Sequence, residues 1–343
     1  MSLKNDIVSA LEKVTAKDAT ETHAWVKPYE APAADVHQFL FFLKPEATAS
    51  YDGVKVEAVV ELALKTLADF GVEVGSVRVL SGDYLDKHNL MGQHYGVISA
   101  ISREGVSVIS EQAKKNLDEK FKADIEAGAS VLGGHQFLAK EPGFNAFSLS
   151  VLNDNLGTTR LAGGTYAMKI KVLGKPVIIL NPFHAYQLVP YTTKGHSIIL
   201  FEARSTKSWE DLRQKLTGTT DPKDAAEGSI RNLFLKHKAD LGLGDVDKGT
   251  NGVHASAGPL EGMVELQRFF SDHEAGSTLG YDHTAFGKLL ISKGLSLEQV
   301  QKLASNPDLD QEGKKVSAFD ATEEKDAAES ADVLANAKFA AAL

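Results

Sequence analysis

The order of apolar segments along the chain constrains its fold more than any other feature. Residues 39–43 form a compact apolar run that stops at Lys44-Pro45, which is typical of a β-strand. Apolar side chains then recur at helical spacing over residues 56–70, and residues 72–80 alternate between apolar and other side chains. The first part of the chain therefore predicts a strand, a helix and a second strand.

The same order recurs later in the chain. Residues 197–201 are typical of a strand, residues 209–216 of a short helix, and an apolar run ending near residue 254 is followed by an amphipathic helix. The polar residues 217–250 between them predict a long ordered loop. Two such halves predict an α/β chain of the α+β type, a ferredoxin-like sandwich whose antiparallel sheet carries helices on one face.

The remaining segments predict additions to this sandwich, which itself comprises residues 38–100 and 181–281. Residues 101–180 predict an inserted α/β lobe, with a strand at 147–152 and a β-hairpin at 166–180.

The two ends of the chain predict further additions. Residues 1–37 predict an N-terminal helix and a linker, and residues 282–343 predict a C-terminal helical extension. We expect its end, from about residue 308, to be a mobile or loosely docked helical tail, because Ala, Glu, Asp and Lys dominate it.

The composition limits the classes of partner. The 343 residues carry a formal net charge of −9, which disfavours broad electrostatic binding to nucleic acid or acidic membranes. The absence of cysteine excludes disulfides, thiol catalysis and cysteine metal sites. No apolar run approaches the roughly twenty residues that span a bilayer, and residues 1–14 lack the pattern of a secretory signal. We therefore expect a cytoplasmic protein with no membrane or nucleic-acid partner.

One histidine lies in a pattern that suits nucleophilic chemistry. The segment Asn251-Gly-Val-His254-Ala-Ser256 ends an apolar run just before a helix, and Pro259 suits the first turn of that helix. Glu265 lies about two turns further on, so its carboxylate can reach back toward His254. A histidine held by a carboxylate near a hydroxyl is one way to build a nucleophilic imidazole. The alternative is a packing or surface histidine, since the chain contains 11 of them.

Any phosphate would have to be held by side chains, because no glycine-rich phosphate loop is present. The candidate cations are Lys44 at the end of a strand, Arg213 on a helix and Arg231 in the long loop. Either Thr219 or Thr220 could lie beside them. Each of these cations taken alone is more typical of an exposed surface charge.

Several short motifs follow one another in a characteristic order. They are Phe41-Phe-Leu-Lys44-Pro45, His94-Tyr95, Pro182-Phe183 with Leu188-Val-Pro-Tyr191, the helix from Trp209 to Arg213, Thr220-Asp-Pro222 with Gly228-Ser-Ile-Arg231, and Asn251-x-x-His254-x-Ser256 with Glu265. In this order they resemble the nucleoside diphosphate kinase family over about half of the chain. The last two motifs are specific in combination, whereas the others are weak alone.

The resemblance implies a ping-pong transfer of the γ-phosphate from a nucleoside triphosphate, such as ATP, to a nucleoside diphosphate through a phosphohistidine at His254. Glu265 would orient the imidazole, directly or through Ser256. Mg²⁺ would be held mainly by the phosphates of the nucleotide, so no metal ligand is expected from the protein.

The resemblance also implies roles for the residues that would bind the nucleotide. These are Lys44, Arg213 and Arg231 for the phosphate charge, Tyr95 and Thr220 as hydroxyl donors, Asn251 for the sugar or the loop, and Phe183 and Leu188 for the faces of the base. Lys44 would act in catalysis as well as in binding. Because contacts with the faces of a base carry little hydrogen-bond readout, base selectivity should be low.

The chain departs from the family pattern at several positions. Ala255 and Ala257 stand where the family usually has Gly and Asp, and one extra residue separates Arg213 from Thr220. The insert and a longer loop after Arg231 leave the order of assembly open, although we expect a homo-oligomer.

Two alternatives to an active kinase remain open. The chain could be a slow nucleotide-binding regulatory protein that uses its insert to bind a partner, or a phosphohistidine carrier that acts on a protein.

Overall fold

The computed structural model describes residues 2–33, 35–311 and 313–339, and it divides into two compact units. One unit joins Met1–His88 to Lys194–Leu343, and the other is the continuous segment Asn89–Thr193. The second unit contains the predicted insert together with the stretches on both sides of it. None of the helices in the described part of the chain combines the length and apolarity that a membrane crossing requires.

Strands and helices occur in both units. In chain order the strands are β1 His23–Lys27, β2 His37–Leu43, β3 Glu73–Ser81, β4 Ser130–Gly133, β5 Thr159–Ala162, β6 Thr165–Val172, β7 Lys175–Leu180, β8 Ser197–Ser205, β9 Val253–Ala255, β10 Asp308–Gln311, β11 Lys314–Ser317 and β12 Lys338–Phe339.

The helices range from single turns to four turns. In chain order the α-helices are α1 Leu3–Thr15, α2 Pro45–Thr48, α3 Val56–Asp69, α4 Gly82–Lys87, α5 Leu90–His94, α6 Gly96–Glu104, α7 Glu111–Glu126, α8 Gly134–Lys140, α9 Ala146–Leu156, α10 His184–Thr192, α11 Trp209–Asp211, α12 Ile230–Lys236, α13 Lys238–Leu241, α14 Pro259–Phe270, α15 Ala285–Ser292, α16 Leu297–Ala304 and α17 Ala327–Ala335. A π-helix, Leu212–Thr217, directly follows α11.

The first unit is built on a five-stranded sheet in the order β1-β3-β8-β2-β9. Every neighbouring pair of strands is antiparallel. The four strands β3-β8-β2-β9 interleave two βαβ halves, which is the arrangement of the ferredoxin-like sandwich. The predicted fold class is therefore confirmed. The additional edge strand, β1, lies in the stretch that we expected to be a linker.

Helices cover both faces of this sheet rather than one. On one face Phe39, Phe41 and Leu43 share a core with residues of α1 and α3. On the other face the ring of Phe42 packs against that of Phe269 in α14, with the ring centroids 6.0 Å apart. Strand β2 is therefore buried on both sides, which fixes the position of its end at Lys44.

The C-terminal segment does not form a loosely docked helical tail, so this expectation is wrong. Residues 308–311 and 314–317 form the antiparallel pair β10–β11. Leu309, Ala318 and Leu334 are buried in one cluster with Leu260 and Met263 of α14. Although large apolar residues are few here, alanines allow close approach of the backbone, and the cluster packs on the outer side of α14.

The unit Asn89–Thr193 has a four-stranded sheet in the order β4-β7-β6-β5, with helices on both faces. The predicted α/β character and the β6–β7 hairpin are confirmed. The predicted strand at residues 147–152 is wrong, because those residues belong to α9. The side chain of Asn145 accepts a hydrogen bond from the backbone of Ser148 at 2.8 Å, which starts a helix at this point.

Candidate active site

His254 lies at the edge of the sheet, on β9, directly opposite Phe42 of β2. The two rings stack with their centroids 4.7 Å apart. Nε2 of His254 lies 2.8 Å from Oε1 of Glu265, whose side chain is 1% exposed against 20% for His254. Because a carboxylate can only accept, Nε2 carries the proton and the lone pair lies on Nδ1.

The second oxygen of Glu265 is also occupied. The hydroxyl of Ser256 donates to Oε2 of Glu265 at 2.5 Å and accepts from the backbone nitrogen of Leu40 at 3.0 Å. Glu265 therefore contacts His254 directly, and Ser256 ties the carboxylate to strand β2. The orientation of the imidazole is fixed by buried groups on two strands and one helix.

Two arginines bind the backbone on either side of His254. Arg213 donates to the carbonyl of Ala255 at 3.0 Å, and Arg231 donates to that of Val253 at 3.1 Å. Burial, and then the charge of Arg213, lower the pKa of Arg231 to about 10. Nε of each arginine is buried without a hydrogen-bond partner among the described residues. Both cations therefore have a donor that no described residue uses.

The long loop expected at residues 217–250 is partly helical, which is how Arg231 is positioned. Arg231 lies in the first turn of α12, where Ile230 and Phe234 bury the apolar side of the helix. Its guanidinium also donates to the carbonyl of Gly218 at 2.8 Å. The apolar residues at 230–235 thus mark a short helix that spacing alone did not identify.

The extra residue between Arg213 and Thr220 coincides with the π-helix Leu212–Thr217. Gly218 donates its backbone hydrogen to the carbonyl of Arg213 at 3.0 Å, which spans five residues instead of four. A π-turn places one additional residue in a helical turn, because its hydrogen bonds join residues five apart. Arg213 consequently still reaches Ala255.

Hydrogen bonds also join Lys44, Asn251 and Thr220. Nζ of Lys44 donates to Oδ1 of Asn251 at 2.7 Å, and Nδ2 of Asn251 donates to the carbonyl of Thr220 at 3.1 Å. Burial lowers the pKa of Lys44, the carboxylate of Glu46 opposes this, and the charge of Arg231 adds to it. Thr219 turns away, since its hydroxyl donates to the carbonyl of Asp221 at 3.2 Å.

The remaining predicted residues, Tyr95, Phe183 and Leu188, lie in the unit Asn89–Thr193. The ring of Tyr95 meets that of His184 on α10 at 5.9 Å, and Phe183 packs edge-on against Tyr166 at 5.8 Å. Leu188 is buried on the same helix as His184. The predicted site residues therefore fall into two groups, one in each unit.

Sequence reasoning missed several residues that contact the site. Phe42 follows from the strand register, since it lies directly opposite His254. Glu261 lies one turn before Glu265 and accepts from the backbone nitrogen of Ala257 at 3.3 Å. Burial, and then the charge of Glu265, raise the pKa of Glu261 to about 8. The spacing of the two glutamates on one helix was the available signal.

Comparison with known proteins points to one family. A nucleoside diphosphate kinase of Prosthecochloris aestuarii is 34% identical over 119 residues, which are 34% of this chain and 68% of that protein. A nucleoside diphosphate kinase of Thermococcus kodakarensis is 36% identical over 88 residues, 25% of this chain and 45% of that protein. A nucleoside diphosphate kinase of Archaeoglobus fulgidus is 36% identical over 94 residues, 27% of this chain and 54% of that protein.

No family model matches the chain. The solved structure of an NDP kinase from Pyrobaculum aerophilum aligns with a TM-score of 0.34 and 18% identity, covering 70% of this chain and 98% of that one. The matched part of this chain spans about half of the length of most of these relatives and 68% of the first. On the strength of that first relative, which is 34% identical over more than two thirds of its length, the chain belongs to the nucleoside diphosphate kinase family.

Proposed function

We propose that the protein is an active nucleoside diphosphate kinase that carries the γ-phosphate on His254. The observation that carries this proposal is the position of two arginines. Arg213 and Arg231 hold the carbonyls on either side of His254, and Nε of each has no hydrogen-bond partner among the described residues. Two cations beside a nucleophile, each with a donor that no described residue uses, fit an anionic group such as a phosphate.

The reaction proceeds in two displacements. The Nδ1 lone pair of His254 attacks the γ-phosphorus of a nucleoside triphosphate, the bond to the β–γ bridging oxygen breaks, and the diphosphate leaves with that electron pair. A second diphosphate attacks the phosphohistidine through a terminal oxygen, and the P–N bond breaks. Glu265 accepts from Nε2 throughout, so its charge stabilises the imidazolium that phosphorylation creates.

The cations of the site neutralise the transferred group. Phosphoryl transfer depends mainly on positioning and on electrostatic stabilisation of the phosphate oxygens. Lys44, Arg213 and Arg231 supply this charge, and Asn251 fixes Lys44. The nucleotide enters as its Mg²⁺ complex, in which phosphate oxygens hold the ion. We also predict that Phe183 and Leu188 contact the faces of the base. The hydroxyls of Tyr95 and Thr220 are predicted to donate to the nucleotide.

A labelling experiment tests the proposal. The protein is incubated with γ-labelled ATP and Mg²⁺. One half is quenched in alkali at once, and the other half is chased with unlabelled GDP before it is quenched. We expect alkali-stable, acid-labile label that passes to GDP and is absent in His254→Ala. His237→Ala, which removes a half-exposed histidine outside the site, is the matched control and should label normally. Label that stays on the protein through the chase would indicate a phosphohistidine carrier instead, and failure to label would contradict both.

A further inference from the structure

We propose that two acidic residues of the C-terminal extension, Glu323 and Glu324, hold the guanidinium of Arg213 until a nucleotide phosphate displaces them, and so lower the affinity for nucleotides. This inference rests on the proposed function, since it assumes that Arg213 binds phosphate. It assigns a role in substrate binding to a segment that lies outside the ferredoxin-like domain.

Both carboxylates lie close to the guanidinium of Arg213. Oε1 of Glu324 lies 3.8 Å from Nε of Arg213, and Oε1 of Glu323 lies 4.0 Å from Nη2. The other side of the same guanidinium binds the carbonyl of Ala255. The two carboxylates therefore stand on the side of Arg213 that is not used to hold the backbone next to His254. This is the side on which an anionic ligand would bind.

The turn that carries Glu323 and Glu324, here called the acidic turn, is held by contacts with the rest of the fold. The backbone nitrogen of Glu324 donates to the carbonyl of Ala257 at 2.9 Å, directly after the Ser256 motif. Oδ1 of Asp326 accepts from the backbone nitrogen of Trp209 at 2.8 Å, at the start of the helix that leads to Arg213.

The backbone of the turn also packs closely against the site. The carbonyl oxygen of Thr322 approaches Gly258 so closely that a Cβ at that position would lie 2.4 Å away. Glu324 has a φ of 55°, which turns the chain sharply at this point. The acidic side chains are therefore placed by these backbone contacts and, for Glu324, also by Gln214, whose Nε2 donates to Oε1 of Glu324 at 2.7 Å.

The two ion pairs with Arg213 are weak enough for a phosphate to replace the carboxylates. The distances exceed those of hydrogen bonds, and the side chains of Glu323 and Glu324 are 49% and 35% exposed. Such pairs are screened by water and salt. Because Nε of Arg213 has no hydrogen-bond partner among the described residues, a phosphate oxygen would make a bond that the carboxylates do not make.

The test measures binding of ADP by calorimetry, without turnover, in wild type and in the double variant Glu323→Gln with Glu324→Gln. We expect the Kd for ADP to fall about threefold to tenfold at low salt, and the difference to shrink as NaCl is added. The matched control is Glu298→Gln with Asp308→Asn, which makes the same change in net charge at exposed positions of the same extension. In an Arg213→Ala background the double variant should have no further effect.

The outcomes separate this inference from the proposed function. An unchanged Kd, the same gain in the control pair, or a gain that persists without Arg213 would each overturn the acidic turn as a competitor. Labelling of His254 decides the kinase reaction independently. If ADP binds more tightly to the double variant but His254 never becomes labelled, the inference on binding holds and the proposed reaction fails.

Discussion

Oε1 of Glu265 lies 2.8 Å from Nε2 of His254, and the carboxylate is almost completely buried. The contact joins the edge strand β9 to the second turn of α14. It fixes the tautomer of the imidazole and places a negative charge where phosphorylation would create a positive one.

Replacing Glu265 by Gln should slow phosphorylation of His254. The amide keeps a hydrogen-bond acceptor but loses the charge that stabilises the imidazolium. A charge-assisted hydrogen bond is worth about 1.5–3 kcal/mol, so we expect kcat to fall about 10- to 100-fold. Rapid-quench measurement of the labelling rate, with the Kd for ADP as the control, tests this. A rate equal to that of wild type would mean that Glu265 has only a structural role.

Removing the hydroxyl of Ser256 should affect both stability and rate. In Ser256→Ala the backbone nitrogen of Leu40 loses its buried acceptor, which costs about 1–3 kcal/mol in the free energy of unfolding. Ser271→Ala is the matched control, because Ser271 is also buried and accepts from the backbone nitrogen of Leu279 at 2.9 Å. Both variants should lose stability in urea titrations, but only Ser256→Ala should phosphorylate more slowly. Equal rates in the two variants would argue against a positioning role for Ser256.

Loss of a phosphate-binding cation should reduce turnover strongly. We expect Lys44→Ala and Arg231→Ala each to lower kcat/KM by about 10²–10³, as loss of one preorganised electrostatic contact does. Lys236→Ala is the control on the same helix as Arg231, since Lys236 is exposed and pairs with Glu227. Thermal unfolding should accompany the kinetics, because Arg231 also holds two carbonyls. An effect below a few-fold would mean that the phosphate binds elsewhere.

The carboxyl of Glu261 should make stability depend on pH. Its pKa is raised from the usual 4.5 to about 8, by burial first and then by the charge of Glu265. Between these two values the folded state binds the proton that the unfolded state has lost, so stability falls as pH rises and levels off above about 8. Glu261→Gln should remove this part of the dependence and be more stable than wild type at high pH. Urea titrations at several pH values measure the difference, and parallel curves would contradict the assignment.

The sequence predicted those parts of the fold that have a clear period or a compact apolar run. The helix α3 and the strands β2, β3 and β8 were identified because their apolar residues face one or two cores. Strand β1 was not predicted, since all of its residues are only partly buried and five residues are too few for a period. The turn at residues 320–326 could not be predicted either, because its partners lie far away in the sequence.

The candidate site was predictable in its residues but only partly in its contacts. The positions of His254, Ser256 and Glu265 follow from spacing on a strand and a helix. The contact of Arg213 with the carbonyl of Ala255 does not follow from spacing, because it depends on the π-helix, which contains one additional residue. Tertiary packing decides which hydroxyl or carbonyl each cation contacts. The periodicity of apolar residues in the sequence does not predict these contacts.

That additional residue also bears on how such chains are recognised. A search pattern that required a fixed interval between the arginine and the Thr-Asp-Pro segment would reject this sequence, although the guanidinium still reaches Ala255. A functional signature of this kind is better defined by the side chains that lie around one atom in the structure than by a sequence pattern with fixed intervals. Enzymes can then gain or lose a residue in a connecting helix and still be grouped by the chemistry that they retain.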